Sequence, residues 1–204
     1  MDARHPLAVV TPTLDGDVLA ALALADASFT TGQLHRMLPE FSEEGIRKVL
    51  VRLCTQGIVV SERAGQAFLY RFNTDHVAAA GVVELVHVRD KLLARLEAQL
   101  GAWHSPPTYA ALFGSMARGS ASRSSDVDIF LVRPDGVVDE EWAAQVQELN
   151  SAVYRWTGND ARPVEFSAAE LRTKREPLFK AVLAEGLTVA GSRSWFQAQV
   201  GSRK

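Results

Sequence analysis

The sequence predicts an α+β protein in three parts. These are a helical N-terminal domain closed by a β-hairpin (residues 14–74), a long linker helix (75–103) and a small mixed-sheet C-terminal domain (106–191). Three observations carry this. Helical apolar spacing dominates the first hundred residues. The breaker Trp103-His104-Ser105-Pro106-Pro107 then interrupts it. Beyond the breaker, short apolar runs of strand length flank a Gly-Ser turn at 114–115. At 204 residues the chain has room for two small domains, and 47% hydrophobic with 23% charged residues is ordinary for a folded globular protein.

Residues 1–13 hold Pro6 and Pro12 without periodicity and read as a loose lead-in. From Asp15 to about Ala25, Val18, Leu19, Leu22 and Leu24 suit a first helix. Thr30 or Thr31 caps a short second helix with Leu34, Met37 and Leu38, ended by Pro39. Ser42 caps a third, whose positive end holds Glu43 and Glu44 and whose buried stripe is Ile46, Val49, Leu50 and Leu53. Gly57 stops it. Ile58-Val59-Val60 then begins a strand, and Ala64-Gly65-Gln66 turns the chain back through residues 67–72. Helix, helix-turn-helix and hairpin in this order resemble the winged-helix regulators. The resemblance implies DNA or RNA binding, with Arg47, Lys48 and Arg52 on the third helix and Arg63 on the wing meeting phosphates. Glu43 and Glu44 would repel phosphates at the end that usually approaches bases, so a module for protein contact, dimerisation or shaping a cleft stands beside that reading.

Asp75 to about Trp103 reads as one helix, striped by Val82, Leu85, Val86, Leu92, Leu93, Leu96 and Leu100. It would span roughly 40 Å, packing within the chain or pairing with a second copy in a homodimer. No strict heptad runs through it. After the breaker, residues 108–113 form a strand delivering Gly114-Ser115, and a short helix follows. Residues 126–132 form a second strand, and residues 140–156 a helix striped by Trp142, Val146, Leu149 and Val153. Residues 162–166 form a third strand. Helices capped near Ser167 and begun at Pro177 come next, with a small edge strand at 187–189.

The chemistry concentrates in Gly114-Ser115-Met116-Ala117-Arg118-Gly119 and Ser125-Asp126-Val127-Asp128-Ile129. Alternate strand residues share a face, so Asp126 and Asp128 project together. Paired carboxylates repel unless a cation joins them, and Mg²⁺ suits such a hard-oxygen site, completed by water and substrate phosphates. A glycine turn beside them lets a nucleotide approach the backbone. Ser115 offers a hydroxyl and a backbone N–H to phosphate oxygen, and Arg118 a guanidinium fork. Arg118 has a second use open to it, pairing with an acid of its own domain.

These residues resemble the signature of the DNA polymerase β-type nucleotidyltransferase superfamily, especially its minimal members: Gly-Ser-x-Ala-Arg-Gly, a spacer, then Ser-Asp-x-Asp and apolar residues. Gly114, Ser115, Ala117, Arg118, Gly119, Ser125, Asp126 and Asp128 match, and Ile129 to Val132 complete the strand. The family has a third carboxylate on a later strand, for which Glu165 in Pro163-Val164-Glu165-Phe166 is the best match, Glu where Asp is commoner. The resemblance spans roughly residues 106–191. It implies that Asp126, Asp128 and Glu165 bind Mg²⁺ or Mn²⁺ and catalyse transfer of NMP from an NTP, ATP among them, with pyrophosphate leaving. Gly114, Ser115, Arg118 and Ser125 then hold the nucleotide. It also implies acceptors of the protein, tRNA or small-molecule kind, the first two within toxin–antitoxin systems.

Arg172, Lys174, Arg175 and Lys180 follow the third strand, where they either neutralise phosphates or form a solvated helix face. The net charge of −2 excludes a strongly basic nucleic-acid coat protein. Five scattered histidines lack zinc-ligand spacing, and Cys54 alone forms no internal disulfide. Without a membrane-length apolar run or signal-peptide pattern, a cytoplasmic protein is expected. The competing function is a transcription regulator whose nucleotidyltransferase-like domain senses nucleotide without turnover.

Overall fold

A computed structural model describes residues 1–25, 27–174 and 176–201. The chain divides into two compact units, an N-terminal one ending at Val88 and a C-terminal one starting at Arg89.

In the N-terminal unit, α1 (Leu14–Ala23), α2 (Thr31–Met37) and α3 (Glu43–Thr55) precede the antiparallel hairpin β1 (Val59–Ala64) and β2 (Ala67–Phe72). The caps are local. Thr30 accepts from the Gln33 N–H while the Gln33 side chain accepts from the Thr30 N–H, and Ser42 accepts from the Gly45 N–H. Val18, Leu22, Leu34, Ile46, Leu50 and Val59 close one core. Cys54 packs at its margin, where burial raises its thiol pKa. The lead-in is more ordered than its composition suggests: Pro6–Val9 form a 3₁₀ turn that buries Leu7 against Ala20 and Val86.

The stretch expected as one helix is two, α4 (Ala79–Val86) and α5 (Val88–Gly101). His87 leaves the helical region, with φ −94° and ψ 24°. Val86 and Val88, β-branched residues of lower helix propensity, flank it. The apolar stripes also serve different cores. Val86 packs in the N-terminal unit, and Leu92, Leu96 and Leu100 pack in the C-terminal one.

The C-terminal unit runs β3 (Tyr109–Phe113), α6 (Gly114–Ala117), β4 (Val127–Arg133), α7 (Asp139–Thr157), β5 (Ala161–Ser167), α8 (Ala168–Thr173), α9 (Pro177–Glu185), β6 (Leu187–Gly191) and α10 (Arg193–Gly201). Its sheet has the order β5-β4-β3-β6, parallel between β4 and β5 and antiparallel elsewhere. One face, with Leu112, Ile129 and Leu131, packs on α5 and on the α7 stripe Trp142, Val146, Leu149 and Val153. The other, with Tyr109, Phe113, Phe130 and Val132, packs on Leu171, Phe179 and Phe196 from α8, α9 and α10. The last helix was not foreseen, yet Phe196 is fully buried and stacks on Tyr109 at 4.6 Å. β5 is an edge strand, with Pro163 in register with Ile129. Among the described residues no helix is long and apolar enough to cross a membrane.

Candidate active site

The strand pair β3–β4 builds the site. Phe113, the last residue of β3, lies in register with Asp128 near the start of β4. The chain then turns at Gly114, where φ is +69°. A methyl group on Gly114 would collide with the Asp128 carboxylate, so glycine is required by backbone and by space. Ser115 follows at the opening of α6, and its carbonyl accepts from the Ser120 N–H at 2.9 Å, closing the turn.

Burial pushes the Asp128 carboxyl above its ordinary range; Arg162 is the largest opposing influence, Asp126 adds to the rise, and Arg118 lowers it. Asp126 and Asp128 are therefore electrostatic neighbours, as strand alternation requires. Asp126 precedes β4 and is exposed, and Asp128 is half-buried. Ser125 shapes the approach, since its hydroxyl accepts from the Ser122 N–H at 2.9 Å. Arg118 is held by Glu185 at 2.6 Å, so the ion pair within its own domain is the one formed.

Glu165 does not join the pair, which corrects the expected set of three carboxylates. In the parallel register Asp128 pairs with Arg162 and Leu131 with Glu165. Side chains alternate across the sheet, so Arg162, Val164 and Phe166 share the face of Asp128 while Glu165 projects from the opposite one. Phe130 stacking on Phe166 at 5.6 Å fixes that assignment. On the other face the Trp142 indole N–H donates to Glu165 at 2.5 Å. Among the described residues no group of three or more metal-ligating side chains forms. Two carboxylates fit one divalent cation; an ion shared with Glu165 does not fit.

Sequence reasoning missed two participants. Arg162 was read only as the start of a strand, although the period of two seen in Val164 and Phe166 puts it on their face. Asn159 follows α7 and is 3% exposed. Its amide donates to the carbonyls of Ser122 (3.4 Å), Arg123 (3.2 Å) and Ser125 (2.7 Å), clamping the loop that presents Asp126. An Asn in a turn carries no such signal by itself.

The four basic residues expected to meet phosphates are engaged. Arg47 donates twice to Glu44, Lys48 lies 3.8 Å from the same carboxylate, Arg52 forks onto Asp15, and Arg63 donates to the Gly65 carbonyl. Beyond the third strand of the C-terminal unit, Lys174 pairs with Glu170 and Arg172 donates to Gln199, while Arg175 lies outside the described residues.

The family model described as "Nucleotidyltransferase domain" matches residues 91–181, under half of the chain. That match makes residues 91–181 similar to nucleotidyltransferase domains. No curated protein matches the chain. Among solved structures, a toxin–antitoxin crystal structure with AMP-PNP is similar at 22% identity, over 54% of this chain and 82% of that one, with a TM-score of 0.41. A structure of the toxin–antitoxin MntA–HepT is similar at 19% identity, over 56% and 80%, with a TM-score of 0.34.

Proposed function

We propose that the C-terminal unit transfers NMP from an NTP to an acceptor hydroxyl, with Asp126 and Asp128 holding Mg²⁺ or Mn²⁺. The observation that carries this is the interlock of Gly114 with Asp128, which sets a ligand-accepting turn against a carboxylate that another carboxylate crowds. A bound divalent ion would supply charge neutralisation for the phosphate chain and the leaving group. Gly114 lets the turn close against the Asp128 carboxylate, and Ser115 offers its hydroxyl to the nucleotide. The acceptor oxygen bonds to the α-phosphorus as the bond to the β-phosphate's bridging oxygen breaks. Pyrophosphate departs, and the acceptor's proton passes to water. Glu165 takes no part as ligand or base, since it lies across the sheet on Trp142.

The test is incubation of the protein with each of the four α-labelled NTPs, Mg²⁺ or Mn²⁺, and cell lysate, following label transfer and pyrophosphate release. Asp126→Ala and Asp128→Ala abolish transfer, and Glu165→Gln retains it within a few-fold. Transfer that survives both aspartate changes would refute the assignment. The lysate arm separates protein, tRNA and small-molecule acceptors, including the partner of a toxin–antitoxin pair.

The N-terminal unit, by the order α1-α2-α3-hairpin, is read as a winged-helix module. Glu44 pairs with Arg47 and is shared with Lys48, and Asp15 pairs with Arg52, which leaves little free positive charge on the third helix and favours protein contact over nucleic-acid binding. The regulator reading requires salt-sensitive duplex binding lost in Arg47→Ala and Arg52→Ala. The present reading expects no such binding.

A further inference from the structure

Two arginines lie close enough to Asp128 to influence its charge, and they are held differently. Arg118 is committed to Glu185 at 2.6 Å. Arg162 is exposed and, among the described residues, forms no hydrogen bond or ion pair. Its place is nonetheless fixed. β5 pairs with β4 over seven residues, with Arg162 in register with Asp128 on the same face. The following Pro163 confines Arg162 to an extended backbone, so the stem of the side chain cannot swing off that face by a local helical turn. The sheet thus presents two carboxylates and one unengaged guanidinium side by side. A lone surface arginine would be as stable anywhere on the strand. Here it stands on the strand where the sequence led us to expect a third acid, directly in register with Asp128.

A guanidinium cannot bind a cation, and it repels a second one. Its five donors instead suit the oxygens of a phosphate. From this we infer that Arg162 is a substrate-binding residue of the Asp126–Asp128 centre, donating to a non-bridging oxygen of the nucleotide's phosphate chain. This rests on the nucleotidyl-transfer reading above. It gives the centre one divalent ion and one fixed organic cation in place of two ions.

The experiment measures, on the full chain, the affinity for each of the four NTPs with Mg²⁺, and the number of Mn²⁺ ions bound with nucleotide present. Wild type, Arg162→Ala, Arg162→Gln, Arg162→Lys and Asp128→Asn are compared, with circular dichroism as the check on folding. Loss of one charge-assisted phosphate contact is expected to weaken the NTP that wild type prefers by about tenfold or more in the Ala and Gln variants. Lys restores part of the loss, and wild type binds one Mn²⁺. Gln keeps a polar side chain without the charge, although a shorter one, which covers the case of a misfolded Ala variant. If Ala and Gln bind NTP within twofold of wild type while Asp128→Asn does not bind, the Arg162 assignment falls and nucleotidyl transfer stands. Two Mn²⁺ ions per wild-type chain would likewise overturn it. If wild type neither binds any of the four NTPs nor transfers label, both readings fall together.

Discussion

Gly114 and Asp128 occupy one small volume, and neither can change alone. Gly114→Ala adds a methyl where the Asp128 carboxylate sits and forces an L-residue to hold φ +69°. Label transfer should fall by about a hundredfold or more, since displacement of a reacting group by even 1 Å is that costly. Asp128 itself opposes folding. Its pKa is raised in the fold above the unfolded value of 3.8, so the ionised form that prevails at neutral pH is the one the fold disfavours. That penalty is full above the folded pKa and is relieved as pH falls through it. Asp128→Asn should therefore raise the melting temperature at pH 7 by about 1–3 °C and flatten its rise on acidification, while abolishing transfer. Asn159 contributes in the opposite sense. Asn159→Ala leaves the loop carbonyls at Ser122, Arg123 and Ser125 without their common donor. Urea denaturation should show a loss of about 1–3 kcal/mol, with a lower kcat from a loosened approach to Asp126.

At the scale of elements, the helix starts were legible because capping is local chemistry. Thr30, Ser42 and Ser167 each cap the helix they were read to cap. Glu170 completes the cap at α8. Its carboxyl is held down to about 2 first by the Lys174 ammonium and then by the Ser167 N–H. A depressed carboxylate pKa stabilises the fold above its unfolded value of 4.5, and that contribution fades as pH falls from there toward 2. Circular dichroism of Ser167→Ala at pH 7 should report about 1 kcal/mol of lost stability. The break at His87 was not legible, because no Gly or Pro marks it and apolar spacing continues across it. What ends α4 is a change of core, which is tertiary information. Glu165 was misread for a related reason. An apolar-acid-apolar triplet says that a residue is in a strand, but only the pairing of β5 with β4 says which face it takes. The indole of Trp142, a buried donor needing an acceptor, was the one hint in the sequence.

At the scale of the molecule, each unit closes its own cores, the N-terminal one around Leu34, Ile46 and Leu50 and the C-terminal one on both faces of the sheet. Leu50 is fully buried, and Leu50→Ala should cost about 2–5 kcal/mol in the N-terminal unit. Nucleotide affinity at Asp126 and Asp128 should not change under conditions where the variant remains folded. A parallel fall in affinity, measured on the same sample, would show that the two units depend on one another.

Pro163 has a bearing on how copies of the protein behave toward each other. A proline nitrogen has no hydrogen to donate, and β5 keeps its ladder with β4 on one side, so the gap falls on the strand's outward side. An incoming extended chain would meet a missing rung there, flanked by the charges of Arg162 and Glu165. Such a blunted margin resists edge-to-edge aggregation. Pro163→Val should therefore leave the sheet intact and increase light scattering at high protein concentration.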